Sequence, residues 1–474
     1  MKILLAKVNT IRLILELVRI KHFQGDTTIM KLKLVVASMS VLGLVSCPVF
    51  AANTTMHKHH HKHHAAHHDY KDMGALPYKD QVCTISENMM IMADMTHNLG
   101  RALPNPCNPG WFNRIAMSGG VNFDLGKFGN RDGNFMGENY KRASLNDAYL
   151  NVLADVNEWA KAFASLSYST STFNVPSIGA AALATEYSAA YSNNINTTGS
   201  QNVQLEQGFM TIGNLDESPF FLQAGKAFQD FSRYELHPIT RSLTQVMSET
   251  LATSLNLGFI THGFSGQVYG FDDPITKTYN AETTTNYGAS LGYNYASDTW
   301  GLDLGAGYLY NLIGVNDVAY LVSQYNEIAS AGGTGGYHDR VGGAAAYADI
   351  SGGPFTLGAR YTAAVQRFNA TDLPQDGTDT TSGAKPWSAG LQAGYGFDAF
   401  GKNNNIYIGY QWSGQSFSLG LPKYRWLAGY GVDIFGKNTN VGIEWDHDSA
   451  YSTGSGGTGN NYNLVSLRSS VKFG

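Results

Sequence analysis

The stretch Ile115-Ala116-Met117-Ser118-Gly119-Gly120-Val121-Asn122-Phe123-Asp124-Leu125 alternates with a period of two. Ile115, Met117, Val121, Phe123 and Leu125 share one face with Gly119, while Ala116, Ser118, Gly120, Asn122 and Asp124 share the other. Successive side chains of an extended strand point to opposite faces, so this strand is apolar on one side and polar on the other. The same alternation recurs downstream. Ala148, Leu150, Val152, Ala154 and Val156 oppose Asp147, Tyr149, Asn151 and Asp155, and Phe355, Leu357, Ala359, Tyr361, Ala363 and Val365 oppose Thr356, Gly358, Arg360, Thr362 and Gln366. Ile406, Ile408, Tyr410 and Trp412 oppose Tyr407, Gly409 and Gln411. A dyad repeat about ten residues long crosses a bilayer as a tilted strand.

About sixteen such segments can be counted, starting near 115, 146, 159, 203, 219, 253, 264, 286, 300, 343, 354, 386, 405, 425, 438 and 462. Their connections alternate in length. Asn157-Glu158, Asp216-Glu217-Ser218, Thr261-His262-Gly263 and Ser297-Asp298 are short, whereas 170–202, 228–251, 272–285, 311–341 and 369–385 are long. Short periplasmic turns and longer outer loops alternate in this way in outer-membrane barrels, which favour even strand numbers. The last segment closes the pattern, with Val465, Leu467, Val471 and Phe473 between Ser466, Arg468, Ser470 and Lys472. The expected fold class is therefore all-β: a transmembrane antiparallel β-barrel over 115–474, with a short irregular or helical segment before it.

Composition agrees with a barrel in lipid. Only 15% of the 474 residues are charged, 12% are aromatic, and Gly (53) and Tyr (27) are abundant. A soluble chain carries about 25% charged residues. A helical membrane protein shows apolar runs of about 18 residues or more, and none follows residue 50. Mean hydropathy is -0.20, as suits strands that show lipid every second residue. The formal net charge of -5 gives no case for nucleic acid.

The N-terminus reads as an export signal. Met30-Lys31-Leu32-Lys33 is basic, Leu34 to Ser46 is apolar, and Val49-Phe50-Ala51 offers a small-residue cleavage site. Residues 30–51 are thus expected to be a signal peptide, and 1–29 an upstream extension. Leu44-Val45-Ser46-Cys47 supplies a second reading, a lipoprotein box acylated at Cys47. Residues 52–114 then form a histidine-rich periplasmic segment, with a short helix expected over 86–99. Cys83 and Cys107 make an even pair in an oxidising compartment and are expected to form a disulfide; a two-thiol metal site is the alternative. His57, His59, His60, His61, His63, His64, His67 and His68 can hold a transition metal loosely. They serve equally well as a solvated tail, since nothing in the run fixes a geometry.

With apolar faces toward lipid, the opposite faces line a hydrated lumen. They carry Asp147, Lys161, Glu206, Asp303, Arg360, Gln411, Asp433, Glu444, Arg468 and Lys472. A one-residue bulge would flip any of them, and pairing across the wall is the ordinary use of such charges. No resident cofactor is implied. The sequence carries no His-Glu-x-x-His pair or phosphate loop. His237, Ser242 and Glu249 share no diagnostic spacing, so an enzyme is not expected.

The connection 228–251 is the most distinctive part. It follows Gln223-Ala224-Gly225-Lys226-Ala227-Phe228 and contains Arg233-Tyr234-Glu235-Leu236-His237-Pro238-Ile239-Thr240, Ser242-Leu243-Thr244-Gln245 and Ser248-Glu249-Thr250. With Gly258-Phe259 and Gln267-Val268-Tyr269-Gly270-Phe271-Asp272-Asp273, it resembles the LbtU family of siderophore porins. The chain departs from that family at Pro238-Ile239-Thr240 and in its histidine-rich N-terminus, where a coiled-coil-like segment is expected. The resemblance implies an outer-membrane receptor or channel for a ferric siderophore that works without TonB coupling. Arg233, Tyr234, Glu235, His237 and Glu249 are then candidates for ligand contact or gating. The expected location is the outer membrane of a Gram-negative bacterium, reached through the barrel assembly machinery, with lipid around the wall and a homo-oligomer open. A general diffusion porin for small solutes and a surface adhesin or structural barrel are the other two readings.

Overall fold

A computed structural model describes residues 104, 115–129, 141–168, 203–215, 217–233, 239–278, 284–297, 299–329, 336–375 and 381–474. Sixteen strands form one closed antiparallel barrel. They are β1 (Ile115–Gly129), β2 (Lys141–Asp155), β3 (Ala160–Tyr168), β4 (Gln204–Ile212), β5 (Phe220–Phe228), β6 (Leu251–Thr261), β7 (Phe264–Asp272) and β8 (Thr285–Ala296). The second half comprises β9 (Trp300–Leu309), β10 (Gly343–Gly352), β11 (Phe355–Ala364), β12 (Trp387–Ala399), β13 (Lys402–Gly414), β14 (Tyr424–Asp433), β15 (Thr439–Ser449) and β16 (Asn461–Phe473). Each strand pairs with its sequence neighbour, and β16 returns to β1 through Gly119↔Phe473 to Gly129↔Asn463. Closure leaves no strand edge, the condition for a sheet in lipid, where an unpaired amide has no water to turn to. Among the described residues no helix is long and apolar enough to cross a membrane.

The period of two sets the wall. Val121, Phe123, Leu255, Leu257, Leu357, Ile408, Ile443 and Leu467 are exposed, although each is large and apolar. Their immediate neighbours Asp124, Asn256, Glu444 and Ser466 are buried. Apolar outside and polar inside inverts a soluble sandwich and is the pattern for a bilayer. Aromatic pairs sit on the outer surface, among them Tyr295–Trp300, Phe355–Tyr395 and Tyr410–Trp426.

Two strands depart from simple alternation at bulges. The β1–β2 register shifts between Asn122 and Phe123, whose partners are Asp147 and Leu145. This extra residue breaks the dyad pattern, which is why periodicity places the start of β2 near 146 rather than at Lys141. The β3–β4 register shifts likewise between Ser165 and Leu166, opposite Gln207 and Leu205. Glu206 is the extra residue, and it and Gln207 are both buried.

The sequence reading treats 311–341 simply as a long loop. It contains a 14-residue helix, α2 (Asn316–Ala329), while the four-residue α1 (Leu243–Val246) lies in the β5–β6 connection. Val318, Leu321, Val322 and Tyr325 fall at the i, i+3, i+4, i+7 spacing of one helix face, and Asp317 sits favourably in the first turn. Val318, Leu321 and Val322 are fully buried. They pack with Leu312, Ile313, Phe368, Leu373, Leu419 and the α1 residues Leu243 and Val246 in one apolar cluster. Its wall members are Tyr269 and Phe271 of β7, Leu309 of β9, Ala345 of β10 and Ala364 of β11. The outer connections have therefore folded inward and built a small core on the β7–β11 side of the lumen. Gly307 on β9 permits a close approach of the loop, since a Cβ there would stand 2.2 Å from the Phe231 carbonyl oxygen.

Candidate functional site: an inward loop across the lumen

The connection 229–250 leaves β5 and crosses to the far wall. Residues 239–243 bond to β12 through β15, and β13 lies eight strands from β5 in a ring of sixteen. The backbone amides of Ile239 and Thr240 donate to the two carboxylate oxygens of Glu444 at 2.7 and 2.6 Å. Thr240 Oγ1 donates to Asp446 at 2.7 Å, and Leu243 N to Gln411 Oε1 at 2.8 Å. In the other direction, Arg425 Nη1 donates to the Arg241 carbonyl at 2.9 Å and Ser388 Oγ to the Leu243 carbonyl at 3.4 Å. Tyr407 Oη completes the Glu444 shell at 2.9 Å. Hydrogen bonds to a charged carboxylate each contribute about 1.5–3 kcal/mol. Several together fix this backbone against the wall.

The strand geometry explains why a wall can offer such a surface. Glu444, Asp446 and Asp448 alternate along β15, so all three face inward. Arg425 of β14 pairs with Asp448 in a bidentate fork, Nε and Nη2 both at 2.7 Å, with the two side chains 1% and 3% exposed. One guanidinium thereby balances part of the acidic row and also holds the loop carbonyl.

A second charge group ties the loop to α2. Arg241 lies 3.1 Å from Glu249 and 2.6 Å from Asp317, all three almost completely buried. Burial pushes the Asp317 carboxyl up to about 7; Arg241 pulls it down and Glu249 pushes it further up. An acid whose folded value exceeds its free value binds its proton more tightly in the docked state. Docking of α2 is then strongest in acid and weakens as pH rises from about 4 through about 7. Proteolysis within 316–329 is accordingly expected to be slower at pH ~5 than at pH ~8. Asp317→Asn should remove most of that difference, and an unchanged pH dependence would refute the role of this carboxyl.

The remaining connections are bolted to one another. Asp273 accepts from Asn286 Nδ2 at 2.7 Å, Asn311 Nδ2 at 2.8 Å and Tyr337 Oη at 2.9 Å. Asp372, fully buried, accepts from Asn326 Nδ2 at 3.1 Å and from the His338 amide at 2.9 Å, and also contacts His338 Nδ1 at 2.6 Å. These joints tie the described parts of the β7–β8, β9–β10 and β11–β12 connections to one another.

The sequence-derived lumen candidates divide by location. Gln411 and Glu444 meet at the loop anchor. Arg468 forms a bidentate pair with Asp124, both bonds 2.7 Å, and half-buried Asp147 lies on the neighbouring β2. Lys161 pairs with Asp155 at 2.8 Å, and Glu206 is buried at the β4 bulge. Arg360 pairs with Asp349 through 2.7 and 2.9 Å bonds, and Asp303 accepts a long 3.5 Å bond from Tyr347. Asp433 accepts from Asn440 Nδ2 at 3.0 Å near the short-turn end, and Lys472 is half-buried opposite Gly120. Of the loop candidates, Arg233 is buried, paired with Asp230 and set 5.1 Å over the Tyr347 ring. Glu249 is occupied by Arg241. Both therefore hold the loop in place. Tyr234, Glu235 and His237 lie outside the described residues, as do the histidine tract, Cys83 and Cys107. Arg241, Asp317, Arg425 and the Asp446–Asp448 pair were not singled out from sequence. The acidic alternation Glu444-x-Asp446-x-Asp448 on one strand face was the available signal.

With this geometry in hand, comparison with known proteins is informative about the barrel. The fold is that of the outer-membrane porins. OprB of Pseudomonas putida aligns with a TM-score of 0.50 at 12% identity, over 76% of this chain and 94% of that one. OmpF of Salmonella typhi aligns with a TM-score of 0.48 at 14% identity, over 76% and 97%. In sequence, a UPF0422 protein of Legionella pneumophila is 26% identical over 318 residues, 65% of this chain and 54% of the relative. A UPF0422 protein of Coxiella burnetii is 26% identical over 266 residues, 55% and 54% respectively. The chain spans about half the length of the curated relatives it matches. No family model matches.

Proposed function

We propose that this chain is an outer-membrane channel that admits small hydrophilic solutes along the β16 and β1–β5 side of its lumen. The observation that supports this most directly is the anchoring of residues 239–243 on β12–β15. The bolted loop and the apolar core behind it occupy the β6–β15 side, so passage is left to the opposite wall. That wall carries the Arg468–Asp124 and Lys161–Asp155 pairs and the acidic Asp147 and Glu206. Mixed, paired charge suits hydrated solutes of either sign, and the narrowed section sets a size limit.

A ferric siderophore taken up without TonB coupling is the second reading, supported by the resemblance of residues 223–273 to siderophore porins. Reconstituted vesicles separate the two. Sugars of increasing size should enter at rates linear in concentration that fall steeply with size. A well-assembled barrel that passes no sugar would end the first reading. Saturable entry of iron–siderophore with sugars excluded would establish the second.

A further inference from the structure

The lumen face of β1–β4 carries an apolar row where a water-filled channel should be polar. Ala116, Leu153, Phe163 and Phe209 stand side by side in register across the four strands. They are only 3–5% exposed. Their cluster is completed by Leu215, Phe221, Ala227 and Ile260, all residues of the wall or its turn between β4 and β6. Neighbours in one sheet shield each other's flanks but not the side that faces the barrel axis. Burial of that side requires a second layer. The loop core does not provide it, since its wall contacts lie on β6 to β11, outside β1–β4.

The rows flanking the apolar one carry the same message. Ser165 and Gln207 lie on one side, Thr211 and Gln223 on the other, all at most 4% exposed. Ser165 Oγ, Gln207 Oε1, Thr211 Oγ1 and Gln223 Nε2 have no hydrogen-bond partner among the described residues. Buried polar atoms are almost always paired, so whatever covers this wall offers polar atoms beside an apolar surface.

We propose that residues 75–114 pack inside the barrel against this row. The chain runs straight from this segment into β1 at Ile115, one residue before Ala116 at the edge of the row. Pro104 is buried. The composition matches the surface: Met89, Met90, Ile91, Met92 and Met95 supply apolar bulk, interspersed with asparagine and threonine. Methionine, unbranched and polarizable, fits uneven aromatic walls well. The segment therefore narrows the very side of the lumen that the loops leave open, rather than standing in the periplasm as its composition alone suggests.

Photo-cross-linking in the full chain tests this. With p-benzoylphenylalanine in place of Phe209, irradiation of outer membranes should join position 209 to residues 75–114, as read by mass spectrometry. Links confined to the outer loops, links to a second chain, or no links would overturn the proposal. A second measurement uses Ser165→Cys and a water-soluble maleimide. Deleting 81–110 should speed labelling at 165 by roughly tenfold or more, because the covering layer is gone. Equal rates in assembled full-length and shortened barrels would overturn it. If the shortened chain does not assemble, the cross-link decides.

Discussion

Replacing residues 233–248 with a short glycine-serine linker is expected to raise single-channel conductance several-fold, because pore cross-section controls conduction. The barrel wall should persist, since β5 and β6 remain paired from Phe220↔Phe259 to Phe228↔Leu251 without the loop. Heat-shifted electrophoretic mobility would report an intact barrel, and planar bilayers the conductance. A milder change makes the same point locally. Glu444→Ala removes the acceptor for two backbone amides and a tyrosine hydroxyl, leaving those donors buried at a cost of about 1–3 kcal/mol each. The loop should detach before the wall melts. Unchanged conductance in both variants, with normal assembly, would mean that the crossing loop does not limit flow.

The second large effect is expected at Arg425. It is 1% exposed and faces Asp448, with Asp446 and Glu444 on the same strand face. Arg425→Ala leaves a carboxylate buried without its partner, and breaking a buried pair in this way costs about 3–5 kcal/mol. Removing the charge as well as the partner, in Arg425→Met with Asp448→Leu, should recover much of the loss, because a hydrophobic pair of similar size avoids the desolvation penalty. The hydrogen bond from Arg425 to the Arg241 carbonyl would still be absent, so loop docking should remain weaker than in the parent. Denaturant unfolding of the three barrels in detergent reads this ordering. A double variant no more stable than Arg425→Ala would show that the fork serves something other than charge balance.

The barrel was legible in the sequence because its cause is local. Each strand meets lipid on one side and a polar interior on the other, so every second residue reports its face, as Ile406 and Ile408 do against Tyr407. Short and long connections then alternate for the same topological reason. Thus the sixteen strands and the starts of β7, β9 and β10 follow from periodicity, while β2 is misplaced where a bulge interrupts it. The helix α2 also left its mark at Val318, Leu321, Val322 and Tyr325, but a short amphipathic run inside a loop carries no sign of what it will pack against. The constriction was not legible. Thr240 and Glu444 are separated by 204 positions, and no local pattern says that a threonine amide on one loop will find a carboxylate half-way round a closed ring. Nor does alternation reveal that Arg233 and Glu249 are spent on Asp230 and Arg241 rather than offered to a ligand. Sequence alone determined the wall, because lipid and water act on each strand separately. Only the tertiary structure decided the passage, because closing the ring is what brings distant loop and wall groups within hydrogen-bond reach.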